Sequence, residues 1–500
     1  MSKKENIEEQ INLEEISSNE NVVRLEKVNE LQKMGINPWP EFKPVNATTV
    51  QVLDEFDPEK EKKYEIAGRL ITIREHGKTV FAHIQDRAGR LQIYLRKDAL
   101  GDEKFDFFLK YLDVGDIIWV KGESFKTQKG EITLRVSDFT LLSKCLHPLP
   151  EKFHGLSDVE ARYRQRYLDL ISNPESLEKF KKRSEIIQSI RQFLLDRDFL
   201  EVETPMLHPI PGGAVARPFV THHNAYDMDL YLRIAPELYL KRLVIGGIEK
   251  VFEINRNFRN EGISTRHNPE FTMLEFYMAH GNYKDGIKLT EELIQDAVKH
   301  SCGKLTVEFQ GKDLDFTAPF KQLTVEQALV EIGGFNKEQF DQENINKLLK
   351  DLNVEIPKGQ DYHGAKLFAL FEEKVEGKIF QPTFIVGYPI EISPLAKRDP
   401  NNPNIAARFE LFAASMEIAN GFTELNDPID QAQRFKSQAE AKENGDEEAH
   451  HYDADFIKAL EYGLPPTVGV GVGIDRLVML ATDTTSIKDV ILFPTLKKVG

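Results

Sequence analysis

Phe258-Arg259-Asn260-Glu261 and Gly469-Val470-Gly471-Val472-Gly473-Ile474-Asp475-Arg476 are the stretches on which the fold turns. The first ends a strand-like run, Lys250 to Arg259. Across the polar segment Asn260 to Glu270, a second run extends from Phe271 to Met278. Two runs joined this way read as an antiparallel hairpin, whose side chains alternate between faces. Arg259 and Glu261 share one parity; Phe271, Met273, Glu275 and Tyr277 share another. Facing the same way, they form a wall with a cation, carboxylates and a flat aromatic. Buried charge is costly without strict pairing. The wall is therefore a ligand site or an Arg–Glu ion pair on an exposed sheet. Glycines at 469, 471 and 473 clear one strand face, so that a ligand can lie flat on the backbone. Arg476, opening the apolar helical run that follows, can reach phosphate. This is not the dinucleotide fingerprint, because Ile474 replaces its third glycine. Gly77-Lys78-Thr79 likewise fails as a phosphate loop, because Thr72 replaces its first glycine.

Upstream, Leu177 to Leu195 carries apolar residues at helical spacing and runs toward Thr204-Pro205, which reads as a long helix feeding an edge strand. Further upstream the pattern becomes short β-runs: Tyr64–Ile73, Val80–Asp86, Leu91–Leu95, Asp116–Gly122 and Ile132–Val136. A helical piece, Glu103 to Leu112, lies between the third and fourth. Five strands with a helix in that gap resemble an OB-fold barrel. Such barrels bind single-stranded nucleic acid by stacking bases on aromatics, or act as scaffold. Residues 1–62 read as a charged helical extension, with Ile11–Glu15 and Val23–Val28 on solvated helix. The expected division is 1–62, then a barrel over 63–148, then one large α+β unit over 149–500. That unit would be built on an antiparallel sheet flanked by helices, after the stiff exit His147-Pro148-Leu149-Pro150.

The chain has 500 residues, 41 % hydrophobic and 29 % charged, enough apolar mass for several cores. No apolar run approaches the ~20 residues that span a membrane. The polar N-terminus lacks a signal core, so a cytoplasmic location is expected. Cys145 and Cys302 make neither a disulfide framework nor a zinc site. The net charge of −16 argues weakly against a nucleic-acid partner, though a local basic face is compatible with it.

The helix and strand ending at Pro205, the Phe258–Phe271 hairpin and Gly469–Arg476 resemble, in this order, motifs 1, 2 and 3 of class II aminoacyl-tRNA synthetases. Five further segments extend the resemblance over nearly the whole chain, to the bacterial-type lysyl-tRNA synthetases. They are Lys152–Leu156, Arg162–Leu170, Gly212–Phe219, Glu261–Phe271 and Asn420–Asp427. Val215 and Ser415-Met416 depart from the family pattern at positions without chemistry.

The resemblance implies ATP-dependent activation of L-lysine to lysyl-adenylate, then transfer to the 3'-terminal adenosine of tRNA(Lys), by a homodimer formed through motif 1. Arg259 and Arg476 would be catalytic, with Arg259 bridging the α-phosphate and the lysine carboxylate. Glu261 would accept from the adenine amino group and Phe271 stack under the ring. Arg266, His267 and Asn268 would hold phosphates, Gly473 and Arg476 would line the nucleotide, and Glu410 and Glu417 would bind Mg²⁺ and ATP. No nucleophile is needed, because such transfers are mostly positioning and electrostatics. Glu237 and Glu275 would take the α-ammonium of lysine, with Gly213 also lining the lysine site. Tyr277 and Glu424 would take the ε-ammonium, with Phe422 on the methylenes and Asn420 beside it. An aspartate enzyme would need cations where this pocket offers three carboxylates. Arg74, Phe81, Gln92 and Glu131 would meet the anticodon. A lysyltransferase acting on protein would lack the barrel. A silent RNA-binding relative would have lost Arg259, Glu261, Glu410, Glu417 or Arg476, and all are present.

Overall fold

The computed structural model describes residues 19–60, 62–150, 156–356, 361–443 and 451–498. Ile11–Glu15 and Lys152–Gly155 lie outside them. The chain forms two compact units, up to Leu156 and from Ser157.

In the first unit, α1 (Asn19–Lys33) and α2 (Thr49–Asp54) precede a closed barrel. Its strands are β1 (Lys63–His76), β2 (Thr79–Gln85), β3 (Arg90–Arg96), β4 (Ile117–Lys126) and β5 (Ile132–Ser143). α3 (Asp102–Tyr111) fills the gap between β3 and β4. Gly77, at φ +62°, turns the β1–β2 hairpin, which accounts for the glycine in the false phosphate loop. The first helix is not the solvated one expected. Leu31 of α1 and Val52 of α2 are fully buried in the barrel core. Arg24 is buried and donates to the carbonyls of Val114 and Cys145, both at 3.0 Å. These backbone acceptors lie outside α1, so its charge pattern in sequence could not show them.

The second unit is organised by an eight-stranded sheet. α4 (Pro174–Leu195) starts with proline at its first position, where no amide partner is lost. It leads to β6 (Leu200–Glu201), an edge strand of two residues that stops before Thr204-Pro205. After α5 (Glu237–Ile245) come β7 (Lys250–Phe258), β8 (Glu270–Ala279) and α6 (Tyr283–Cys302). An Asn282–Asp285 capping box opens α6, and Gly303 in the left-handed region closes it. β9 (Lys321–Thr324), β10 (Thr383–Val386), β11 (Arg408–Ala413), β12 (Met416–Thr423), β13 (Thr467–Gly473) and α7 (Ile474–Ala481) follow. The spatial order is β9-β10-β11-β12-β13-β8-β7-β6. It is antiparallel except where β6 meets β7 and β9 meets β10.

Strand parity divides the sheet. One row joins Ile254, Leu274, Val472, Ala419 and Leu411. Its members, with Phe276 and Val470, meet Ile190 of α4, Leu293 of α6 and Val478 of α7 in the main core. Full burial of each large side chain stabilises by roughly 1.5–3 kcal/mol. The adjacent row, of opposite parity, joins Glu253, Glu275, Gly471, Asn420 and Glu410. An apolar face against helices leaves the polar rows together on the other face.

Candidate active site

The polar face carries two groups of side chains. The first centres on carboxylates. Register places Tyr277, Gly469, Phe422 and Arg408 in one row, beside the row of Glu275. Glu237, at the start of α5, is buried, as are Glu275 and Glu424. Tyr277 donates its hydroxyl to Glu275 Oε2 at 3.1 Å. Gly213 has φ +90°, and a Cβ there would lie 3.0 Å from the Cβ of Glu237. The glycine strand acts differently from expectation. A Cβ at Gly469 would collide with Tyr277 and with Glu424 Oε1, so this glycine makes room for protein side chains. Gly473 is open, its nearest contact 3.7 Å away.

Sequence reasoning missed Lys241. Its fully buried Nζ donates to Glu237 Oε1 at 2.5 Å and pairs with Glu424. Burial pushes the Glu237 carboxyl up, against Lys241. Burial also pushes Glu275 up, to about 8, with Glu237 adding to the shift. Glu424 lies well above the ordinary carboxylate range for the same reason, despite Lys241. Its Oε1 has no hydrogen-bond partner.

The second group is cationic. Arg259 lies one residue past β7, but its amide still donates to the Pro269 carbonyl at 2.9 Å, so the hairpin pairing and the expected parity continue through it. Its guanidinium sits 5.1 Å from the Phe271 ring centre, and its buried Nε has no hydrogen-bond partner. Burial works against its charge, with Glu261, Glu417 and Glu275 supporting it. Glu261 is exposed in the loop. Arg476 donates to the Glu417 carbonyl at 2.6 Å and lies 3.3 Å from Glu417 Oε2. His267 Nε2 is 3.1 Å from Arg476. Arg266 donates to the Ser415 carbonyl at 2.7 Å. Asn268 is turned inward and donates to the Glu270 carbonyl at 2.6 Å, holding the loop's own backbone. Sequence reasoning also missed Asp475, the neighbour of Arg476 on α7, which is buried. It accepts the Thr272 amide at 2.7 Å and Arg183 at 2.5 Å, fastening α7 to β8 and α4.

Glu410 accepts from Arg408 at 2.5 Å and from the Tyr388 hydroxyl at 2.9 Å. Burial pushes it up to about 7; Arg408 opposes the shift and Glu417 adds to it. Glu372 and Glu376 also rise to about 7, each chiefly through burial, with Glu410 and Glu417 respectively the next cause. No sequence signal joined them to Glu410, because they lie on a separate helix and turn. Hard carboxylate oxygens that repel one another fit a divalent cation. Among the described residues no three His, Cys, Asp or Glu side chains form a group that could hold a metal ion by themselves.

In the barrel, Arg74 faces Phe81, Phe81 faces Tyr94, and His83 faces Gln92. The Phe81 and Tyr94 ring centres are 4.6 Å apart, and Tyr94 to Phe125 is 5.8 Å. Arg135 lies 4.7 Å from the Phe125 ring centre. Gln92 donates to Glu131 at 2.9 Å. The four expected residues share one aromatic, cation-bearing face. Tyr94, Phe125, His83 and Arg135 join them, and cross-strand parity was the available signal.

A sheet with one helix-covered face and one polar face, a glycine strand inside it and an arginine-bearing helix after that strand fit an amino-acid-activating synthetase catalytic unit, which follows an OB barrel in the chain. The family described as tRNA synthetases class II (D, K and N) matches residues 158–497, and the OB-fold nucleic acid binding domain family matches residues 64–142. A lysine–tRNA ligase of Carboxydothermus hydrogenoformans is 55 % identical over 95 % of this chain and 97 % of its own. One of Magnetococcus marinus is 54 % identical over 95 % of this chain and 96 % of its own. One of Syntrophomonas wolfei is 53 % identical over 98 % of each. The chain belongs to the class II tRNA synthetases and, within them, to the lysine–tRNA ligase family.

Proposed function

We infer that this chain activates L-lysine with ATP and esterifies it to the 3'-terminal adenosine of tRNA(Lys), releasing AMP and pyrophosphate. The observation that carries this reading is the clustering of the buried Glu237, Glu275 and Glu424 against one another, with Arg259 near Glu275. Membership of the lysine–tRNA ligase family supports it.

Glu237 and Glu275, with the Gly213 backbone, hold the α-ammonium. Glu424 and Tyr277 hold the ε-ammonium, Phe422 packs on the methylenes and Asn420 orients the carboxylate end. Arg259 spans the lysine carboxylate and the α-phosphate; a planar fork binds both bidentately. Phe271 stacks on adenine and Glu261 accepts from its amino group. Arg266, His267 and Arg476 face the outer phosphates beside Gly473, and Asn268 holds their loop. Glu410 and Glu417 would hold Mg²⁺, which supplies charge neutralisation on the phosphates when bound. Arg74, Phe81, Gln92 and Glu131 read the anticodon by stacking and edge contacts. The division of labour is a helical extension over 1–62, an anticodon barrel over 63–148 and a catalytic unit over 149–500.

We also propose a homodimer. Leu195, Leu200, Met206 and Leu207, along the motif 1 segment, are all more than 40 % exposed, a surface suited to a second copy. A cytoplasmic location fits two free cysteines. Among the described residues no helix is long and apolar enough to cross a membrane. The test is charging: purified protein should attach labelled lysine to tRNA(Lys) with ATP. Charging with aspartate instead would overturn the reading.

A further inference from the structure

Lys241 has no part in the roles above. It sits on α5 one turn after Glu237, with its side chain fully buried. A Glu–Lys pair at this spacing on a surface is worth only a few tenths of a kcal/mol. Lys241 is different, because a second carboxylate, Glu424, reaches the same ammonium from the end of β12. The ammonium is also 5.5 Å from the Phe422 ring centre. It therefore lies between the two subsites assigned to the substrate's ammonium groups.

A charge count gives the position meaning. The pocket holds three carboxylates, and a dry site cannot keep three negative charges unmatched. Lysine brings two ammonium groups. We propose that Lys241 is a specificity-determining positioning residue, whose fixed ammonium matches one pocket carboxylate and leaves two negative charges for a diammonium amino acid. Held between Glu237 and Glu424, it also sets the separation of the carboxylates that take the two ends. Burial works against the Lys241 charge, but Glu237 and Glu424 outweigh it and raise the group above its ordinary value. The charged groups acting on it are Glu237 on its own helix and Glu424 after β12, while Glu275 and Tyr277 on β8 interact with those two carboxylates. Arg408 on β11 acts on Glu237. The inference rests on the lysine pocket assigned above.

The test is pyrophosphate exchange into ATP as a function of lysine, ATP and pH. Lys241→Gln keeps a donor and drops the charge; Lys241→Arg keeps the charge. Lys241→Gln is expected to raise the lysine KM roughly 10- to 100-fold, the scale of a lost hydrogen bond to a charged group, with the ATP KM unchanged. The midpoint of the pH dependence of kcat/KM for lysine should move upward by about one unit, because the remaining carboxylates then hold their protons more tightly. Lys241→Arg should keep the wild-type midpoint. Lower thermal stability with an unmoved lysine KM and midpoint in Lys241→Gln would show a merely structural residue and overturn the proposal.

Should Lys241→Gln not fold, Lys241→Met/Glu424→Gln removes both charges of one pair, which proteins tolerate better. With the remaining pocket carboxylates ionised against bound lysine, it restores two net negative charges, whereas Glu424→Gln alone leaves one. The double variant should bind lysine more tightly than Glu424→Gln; equal or weaker binding overturns the proposal. Wild-type protein that exchanges with aspartate and not lysine would fail the pocket assignment itself, a separate outcome.

Discussion

At the scale of single residues, burial decides what the carboxylates and cations do. Glu275, pushed up to about 8, keeps a proton in the folded chain that an unfolded carboxylate has already lost near neutral pH. The stability this contributes is complete below the ordinary carboxylate range and is lost as pH rises through about 8. The melting temperature of the lysine-free protein should therefore fall between about pH 6 and about pH 8.5, less so in Glu275→Gln, and added lysine should offset the fall. An equal fall in both proteins would contradict the assignment. Arg259 is the converse case. Its Nε has no partner, so Arg259→Ala should not lower thermal stability, yet should cut exchange roughly 100- to 1000-fold. A loss of stability that tracks the loss of activity would make Arg259 structural. Arg259, Glu275 and Glu424 were legible because they sit in or near motifs. Lys241 was not, because in sequence it is one more lysine in a charged protein, and its burial comes from strands far along the chain.

At the scale of elements, the hairpin, the glycine strand and the five barrel strands were legible from alternation and turns. Their partners were not. Register alone shows that Gly469 lies beside Tyr277 and Phe422, and Gly471 beside Glu275 and Asn420. The glycines thus separate into two uses. Gly469→Ala places a methyl against Glu424 and Tyr277 and should raise the lysine KM at least tenfold, the scale of ~1–3 kcal/mol for overpacking. Gly473→Ala meets no atom closer than 3.7 Å and should fold normally, with any effect confined to the nucleotide KM. Equal effects on lysine from both substitutions, read from steady-state exchange kinetics, would contradict this division. The edge strand before Pro205 was legible in kind and overestimated in length. Its pairing depends on β7, which sequence patterning does not locate.

At the scale of the whole molecule, a net charge of −16 conceals a local face where Phe81, Tyr94 and Phe125 adjoin Arg135. Net charge could not show it, because parity on one barrel face gathers these side chains from separate strands. Phe81→Ala should weaken tRNA charging by the ~1–3 kcal/mol of a lost stacked base while leaving pyrophosphate exchange intact. Loss of both activities together would contradict the assignment of anticodon binding to the barrel. The acidic cluster of Glu372, Glu376 and Glu410 was equally hidden, since its members come from different elements. The central claim is that three buried carboxylates and one fixed lysine select a diammonium amino acid. Pyrophosphate exchange into ATP, measured with the purified protein across lysine, aspartate, asparagine and norleucine, tests it most directly. Exchange with lysine alone is the expected result; exchange with aspartate, or with norleucine as well as with lysine, would contradict it.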